Sequence, residues 1–166
     1  NDFLNTEFLN IIKYNYIFDE KPIKRIKTKP TLENSKFRLE TLKNKIETIQ
    51  NCDLKKNASK IVFADGSIQS PIMIVGEGPG QKEDELGKPF VGEAGSLLNK
   101  MLKAINIERD KIYITNVVNY RPPNNRKPEP KEINRYSEFL KEHISIIDPQ
   151  ILILMGSTAM EAILGS

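Results

Sequence analysis

Cysteine is almost missing from this sequence: Cys52 stands alone in 166 residues. One thiol excludes an internal disulfide and any all-cysteine metal or iron–sulfur site within one chain. Histidine is as scarce, with His143 the sole copy. No Ser/His/Asp arrangement and no metal-ligand cluster is therefore expected, and His143 itself falls near the apolar face of a helix, which suits a core role. No run approaches the ~20 apolar residues of a membrane span, and the start has no signal-peptide pattern. The default setting is cytoplasmic. The chain opens on Asn1, so its native start need not be here. The formal net charge of +3 is too small to identify a partner, and its distribution is more useful. The 39% apolar fraction suffices for one core with an appendage.

The residues that are present fall into an ordered pattern. Leu4, Phe8, Ile11 and Ile12 predict a short helix within 1–20. The run Lys21-Pro22-Ile23-Lys24-Arg25-Ile26-Lys27-Thr28-Lys29-Pro30 is basic and bounded by prolines. It reads as a linker, with a nucleic-acid arm as the alternative. Leu39, Leu42, Ile46 and Ile49 recur at helical spacing and predict a helix over 32–50. Residues 1–50 are thus a helical extension and 51–166 the main domain. Ile61-Val62-Phe63, closed by Ala64-Asp65-Gly66, is a strand or an extended edge segment.

From residue 71 the alternation is clearer. Strands are predicted at 72–75, 112–118 and 151–155. The last is wholly apolar and is expected at the centre of the sheet. Ala94, Leu97, Leu98, Met101, Leu102 and Ile105 make one helical face. Ile133, Tyr136, Leu140, Ile144 and Ile147 make another, with Pro130 in its first turn. The order predicts an α/β fold of three layers, α/β/α, around a mainly parallel sheet with right-handed crossovers. Loops at the C-terminal strand ends, 76–92, 116–126 and 156–158, should build the site.

The stretch IMIVGEGPGQKEDELGKPFVGEAG, from Ile72 to Gly95, concentrates the chemistry. A strand feeds a loop in which Gly76, Gly78 and Gly80 let backbone N–H groups approach a ligand. The spacing is not a dinucleotide fingerprint, and no Gly-Lys-Ser/Thr follows. Glu77 either points into the crevice or structures the loop through backbone N–H groups. Of Glu83, Asp84 and Glu85, at most one is expected to face the site. Phe90, outside any amphipathic stripe, is either a core residue or an aromatic placed to stack on a planar base, worth roughly 1–3 kcal/mol. Asn116 interrupts an apolar strand. Its amide both donates and accepts, which matches the imide edge of uracil; closing a turn is the alternative. Arg121, Arg126 and Lys127, among prolines beside the same crevice, read as a solvated loop or as phosphate contacts.

Taken in order, three segments resemble the family-4 uracil-DNA glycosylases. They are Gly76-Glu77-Gly78-Pro79-Gly80 with Glu83-Asp84, then Gly87-Lys88-Pro89-Phe90-Val91-Gly92-Glu93-Ala94-Gly95, then Asn116-Val117-Val118 with Arg121-Pro122-Pro123-Asn124-Asn125-Arg126. The similarity runs from about Cys52 to the end. The resemblance implies excision of uracil from DNA, preferentially single-stranded or mispaired. Phe90 would stack on the extruded base, Asn116 would read it, and the backbone of Gly76, Gly78 and Gly80 would surround it. Glu77 would position or polarise water, with Glu83 as a second carboxylate.

Two departures from the family pattern follow. Many members hold a 4Fe–4S cluster on four cysteines. Here Tyr120 stands where many relatives have cysteine, Tyr136 is near another such position, and the cluster is predicted absent, with aromatic packing in its place. Members also continue for some tens of residues past the position of Ser166, supplying a last strand and a His-Pro loop. His143 belongs to another element and cannot replace that histidine. Without that strand, an unpaired sheet edge is expected. A separate C-terminal fragment is a possible partner on this reading. The alternative function is a catalytically inactive remnant that binds single-stranded nucleic acid.

Overall fold

A computed structural model describes residues 31–165. The helix expected within 1–20 and the basic run 21–30 lie outside the described residues. The elements in chain order are α1 (Leu32–Glu47), α2 (Asp53–Asn57), β1 (Asp65–Gly66), β2 (Ile72–Gly76), α3 (Gln81–Leu86), α4 (Glu93–Ala104), β3 (Tyr113–Asn116), α5 (Pro130–Ile147), β4 (Ile151–Leu154) and α6 (Ser157–Leu164). Single 3-10 turns occupy Arg109–Lys111 and Pro123–Asn125.

The sheet order is β1-β3-β2-β4. β2 runs parallel to both β3 and β4, and β1 pairs antiparallel with β3. Side chains alternate across β2 and divide the core in two. Met73 and Val75 join Leu39, Leu42, Ile46, Leu140 and Ala159 on one face. Ile74 joins Ile114, Leu98 and Leu102 on the other. Helices therefore cover both faces of a mainly parallel sheet, the three-layer arrangement that the alternation predicts.

Local chemistry sets the helix ends. Thr31 caps α1, its Oγ1 accepting the Asn34 N–H at 3.3 Å. The apolar face of α1 packs into the same core as the sheet, and Lys45 pairs with Glu142 of α5 at 2.9 Å. Pro130 opens α5, where Glu129 and Glu132 form a reciprocal capping box. Asp148 ends α5 at a φ of 48°.

Two expectations change on folding, and one open alternative is decided. β4, expected at the centre, lies at the edge of the described sheet, with Ile151 and Ile153 exposed by 53% and 42%. Ile151 and Ile153 share the exposed face and Leu152 and Leu154 the half-buried one, so an apolar run fixes neither the covering of both faces nor the number of backbone neighbours. The loop at 76–92 contains the unexpected α3, ended by Gly87 at a φ of 73°. Residues 61–63 are extended without a ladder of their own: the Val62 N–H donates to the Asn119 carbonyl at 2.8 Å, and the Asn119 amide donates back to Val62 at 3.1 Å. Among the described residues no helix is long and apolar enough to cross a membrane.

Candidate functional site

The C-terminal ends of β2, β3 and β4 open on one cavity of about 430 Å³, within the range of small-molecule sites. Its walls include Glu77, Gly78, Gly80, Glu83, Phe90, Asn116, Met155 and Gly156. The three loops expected to build a site do meet, although from the second of them only Asn116 reaches the wall.

Strand register carries the centre of the site. Gly76 lies opposite Asn116 across the parallel β2–β3 pair. A Cβ at Gly76 would stand 2.5 Å from Asn116 Oδ1 and 2.6 Å from the Phe90 ring. The bare backbone at Gly76 is what lets amide and ring converge. Gly76 itself is buried behind them, while Gly78 and Gly80 line the cavity. Asn116 is 4% exposed, and no described residue engages its amide in a hydrogen bond. Backbone bonding continues beyond the strands: the Val117 N–H donates to Gly76 at 2.9 Å and the Val118 N–H to Glu77 at 3.3 Å. The mouth of the crevice is therefore held by main chain. Phe90 adopts a φ of 52°. A non-glycine residue held there costs on the order of 1–3 kcal/mol, a strain found mostly where surrounding structure imposes it.

The acidic run divides by direction. Glu83 alone of its three carboxylates lines the cavity. Its Oε1 accepts the Val91 and Gly92 N–H groups at 2.9 and 2.7 Å, so it also shapes the turn after Phe90. Asp84 is buried and accepts the Ser59 and Lys60 N–H groups at 2.8 and 3.2 Å. Glu85 takes the Gln81 amide at 2.9 Å on the surface. Glu77 Oε2 accepts a short hydrogen bond from the Thr158 hydroxyl in the first turn of α6. That turn is the positive end of the helix dipole, a favourable place for a carboxylate. Thr158 and Met155 were not singled out in the sequence. The Gly156-Ser157-Thr158 turn was the available signal.

The three cations lie outside the cavity walls. Arg121 Nε donates to Asn125 Oδ1 at 2.7 Å. Arg126 forms a two-pronged pair with Glu132 at 2.8 and 2.7 Å. That pairing holds the Glu132 carboxyl below its ordinary range and raises the Arg126 guanidinium. Arg126 thus serves the start of α5 rather than standing free. Lys127 is exposed. Val118, Pro122 and Pro128 pack behind Gly78, within 2.8, 3.8 and 3.9 Å of where a Cβ there would be.

His143 lies apart from the crevice. It is 2% exposed, with Nε2 2.8 Å from the Tyr113 hydroxyl and its ring stacked on Phe63 at 4.7 Å. Burial pushes its pKa down to about 3. Cys52, Tyr120 and Tyr136 do come together, with Cys52 Sγ and the Tyr136 hydroxyl 3.5 Å apart. Burial, and then the charges of Glu47 and Cys52, push the Tyr120 phenol up to about 12. Burial, followed by the Cys52 hydrogen bond, raises Tyr136. One thiol and two buried phenols do not fit a group that needs four thiolates. Among the described residues, no set of three or more His, Cys, Asp or Glu is placed to hold a metal.

The profile of the Uracil DNA glycosylase superfamily matches residues 63–166. The chain is 41% identical over 122 residues to the Type-4 uracil-DNA glycosylase of Thermotoga maritima, covering 74% of this chain and 64% of that one. It is 45% identical over 119 residues to the Type-4 uracil-DNA glycosylase of Sulfurisphaera tokodaii, covering 71% and 54%. The corresponding protein of Archaeoglobus fulgidus is 39% identical over 125 residues, covering 75% and 63%. The chain therefore spans 54–64% of the length of these relatives.

Proposed function

Because this chain belongs to the uracil-DNA glycosylase superfamily, we propose that its crevice receives a uracil extruded from DNA and that its residues serve the hydrolysis of the N-glycosidic bond. The observation that carries the reading is the Asn116 amide, held at the buried end of β3 against Gly76 and the Phe90 ring, and not engaged by any described residue. Such an amide donates to a carbonyl and accepts from an N–H, the pattern on the imide edge of uracil. Phe90 supplies the stacking face. Extruding the base costs a few kcal/mol, least where it is unpaired or mispaired, so those substrates are favoured.

In this mechanism the C1′–N1 bond breaks, the sugar gains oxocarbenium character and negative charge develops on the departing uracil. The Asn116 amide and loop N–H groups stabilise that charge. Water, oriented by Glu77, whose second oxygen is left to it by the Thr158 bond, then adds at C1′; its oxygen becomes the C1′ hydroxyl and the proton it gives up is matched by the one that the uracil anion takes up. Glu83 holds the 90–92 turn in place and presents a second carboxylate to the same cavity. Arg121 and Lys127 contact phosphates at the rim, and Arg126 keeps α5 in register beside them.

A second reading is binding of single-stranded nucleic acid without excision: no histidine is among the described residues that line the cavity, and His143 is buried against Tyr113 and Phe63. The test is alkaline strand scission of a labelled single-stranded oligonucleotide carrying one uracil. Scission by the chain and its loss in Asn116→Ala are expected. Retention of full scission by a folded Asn116→Ala protein overturns the pocket assignment. Uracil-dependent binding without scission selects the second reading.

A further inference from the structure

Phe90 sits in a backbone conformation that an aromatic residue does not adopt unaided, and one side chain outside the crevice walls accounts for it. Arg109, in the 3-10 turn Arg109–Lys111 before β3, reaches the Phe90 loop from behind. Its Nη1 donates to the Phe90 carbonyl at 3.0 Å and to Asn99 Oδ1 of α4 at 3.1 Å. Its Nη2 donates to the Pro89 carbonyl at 2.7 Å and to Asp65 Oδ2 at 3.1 Å. Its Nε donates to the same Asp65 oxygen at 3.2 Å. Every N–H of the guanidinium fork is engaged. Gly95 completes the enclosure: a Cβ there would stand 1.9 Å from the Phe90 carbonyl oxygen. Two successive carbonyls, a helix side chain and a strand carboxylate thus converge on one planar cation.

We propose that Arg109, anchored by Asp65, is a positioning residue that holds the Phe90 loop in its left-handed conformation and so fixes the ring over Gly76 before any base arrives. The consequence for a stacked base rests on the uracil reading of the crevice, but the clamp itself does not. Two carbonyl acceptors on adjacent residues need a planar fork with fixed donor directions. A lysine has one ammonium and cannot span them with Asn99 and Asp65 as well. Preorganisation of this kind lowers the ordering cost of binding.

The sequence contains no tryptophan, so Phe90→Trp installs a single indole at the ring position. In that background Arg109→Lys is expected to lower the ligand-free fluorescence anisotropy. Asp65→Asn, which keeps the Arg109 bonds to Phe90, Pro89 and Asn99, is expected to give a smaller drop. With Phe90 restored, Arg109→Lys is expected to raise the Kd of a uracil-containing single-stranded oligonucleotide about tenfold, equivalent to about 1.4 kcal/mol. A folded Arg109→Lys protein with unchanged anisotropy overturns the proposal. Should Arg109→Lys fail to fold, Asp65→Asn carries the same test, and unchanged anisotropy there overturns it. A drop in anisotropy with no uracil-dependent binding in either background upholds the clamp and removes the uracil reading instead.

Discussion

A methyl group at position 76 would have to displace either an amide oxygen or an aromatic ring. The contacts of 2.5 and 2.6 Å that a Cβ would make there are with Asn116 and Phe90, the two side chains on which the proposed recognition depends. Gly76→Ala is therefore expected to reduce uracil-dependent scission at least tenfold. Overpacking of this kind also costs about 1–3 kcal/mol of stability, so a modest loss of Tm accompanies it. Scission rates and thermal melts of the same preparation check both. Unchanged scission would mean that ring and amide do not act together. Asn116 and Phe90 were legible in the sequence because each breaks a local rule, a polar amide in an apolar strand and an aromatic outside any stripe. Arg109 was not legible. An isolated arginine in a polar turn has no sequence signature, and its partners come from three other segments.

At the scale of elements, the start of α5 shows how a charge changes meaning on folding. In the sequence Arg126 and Lys127 read alike, as cations beside a crevice. In the fold Arg126 is bound to Glu132 inside the capping box, while Lys127 is exposed. Arg126→Ala is expected to lower the Tm by several degrees, about 2–4 °C for each kcal/mol lost. Lys127→Ala is expected to leave the Tm alone and to flatten the salt dependence of oligonucleotide binding by about one unit of slope. Thermal melts and a salt titration of both variants separate the roles. A flattened salt slope in Arg126→Ala without thermal loss would return that residue to the phosphates. α3 is the other element that changes the reading of its stretch. By turning the chain between Gly80 and Gly87 it points Glu83 inward, Asp84 into the 59–60 backbone and Glu85 outward.

The whole molecule carries a pH dependence through His143. Burial depresses its folded pKa to about 3, against an ordinary value near 6.5. The unfolded chain therefore binds the extra proton first. The stability that the neutral, Tyr113-bonded imidazole contributes is fully present above about pH 6.5 and is lost as pH falls from there towards 3. His143→Gln keeps a hydrogen-bonding group near Tyr113 without titrating. It is expected to be less stable at pH 7 but to have a flatter stability profile between pH 6.5 and 4. Denaturant unfolding across that range checks it, and parallel profiles would mean that other groups set the acid limit. Two further features belong to this scale. The outer edge of β4 is without a partner among the described residues, beside the exposed Ile151 and Ile153. Cys52, Tyr120 and Tyr136, far apart in the chain, share one buried cluster.

Periodicity and punctuation were enough to determine the layered α/β plan, the main helices and the loops that line the cavity, because each depends on residues near one another in the chain. The resemblance carried by the loop motifs identified the family for the same reason: the pieces are short and keep their order. Position within the sheet was decided only in three dimensions. Strand order depends on which backbones find each other, and the apolar run at 151–154 gave no sign that it would lie at an edge. The same holds for Arg109 and Arg126. A guanidinium is recognised by the geometry of its acceptors, and only the tertiary fold brings Pro89, Phe90, Asn99 and Asp65 around one of them and Glu132 to the other.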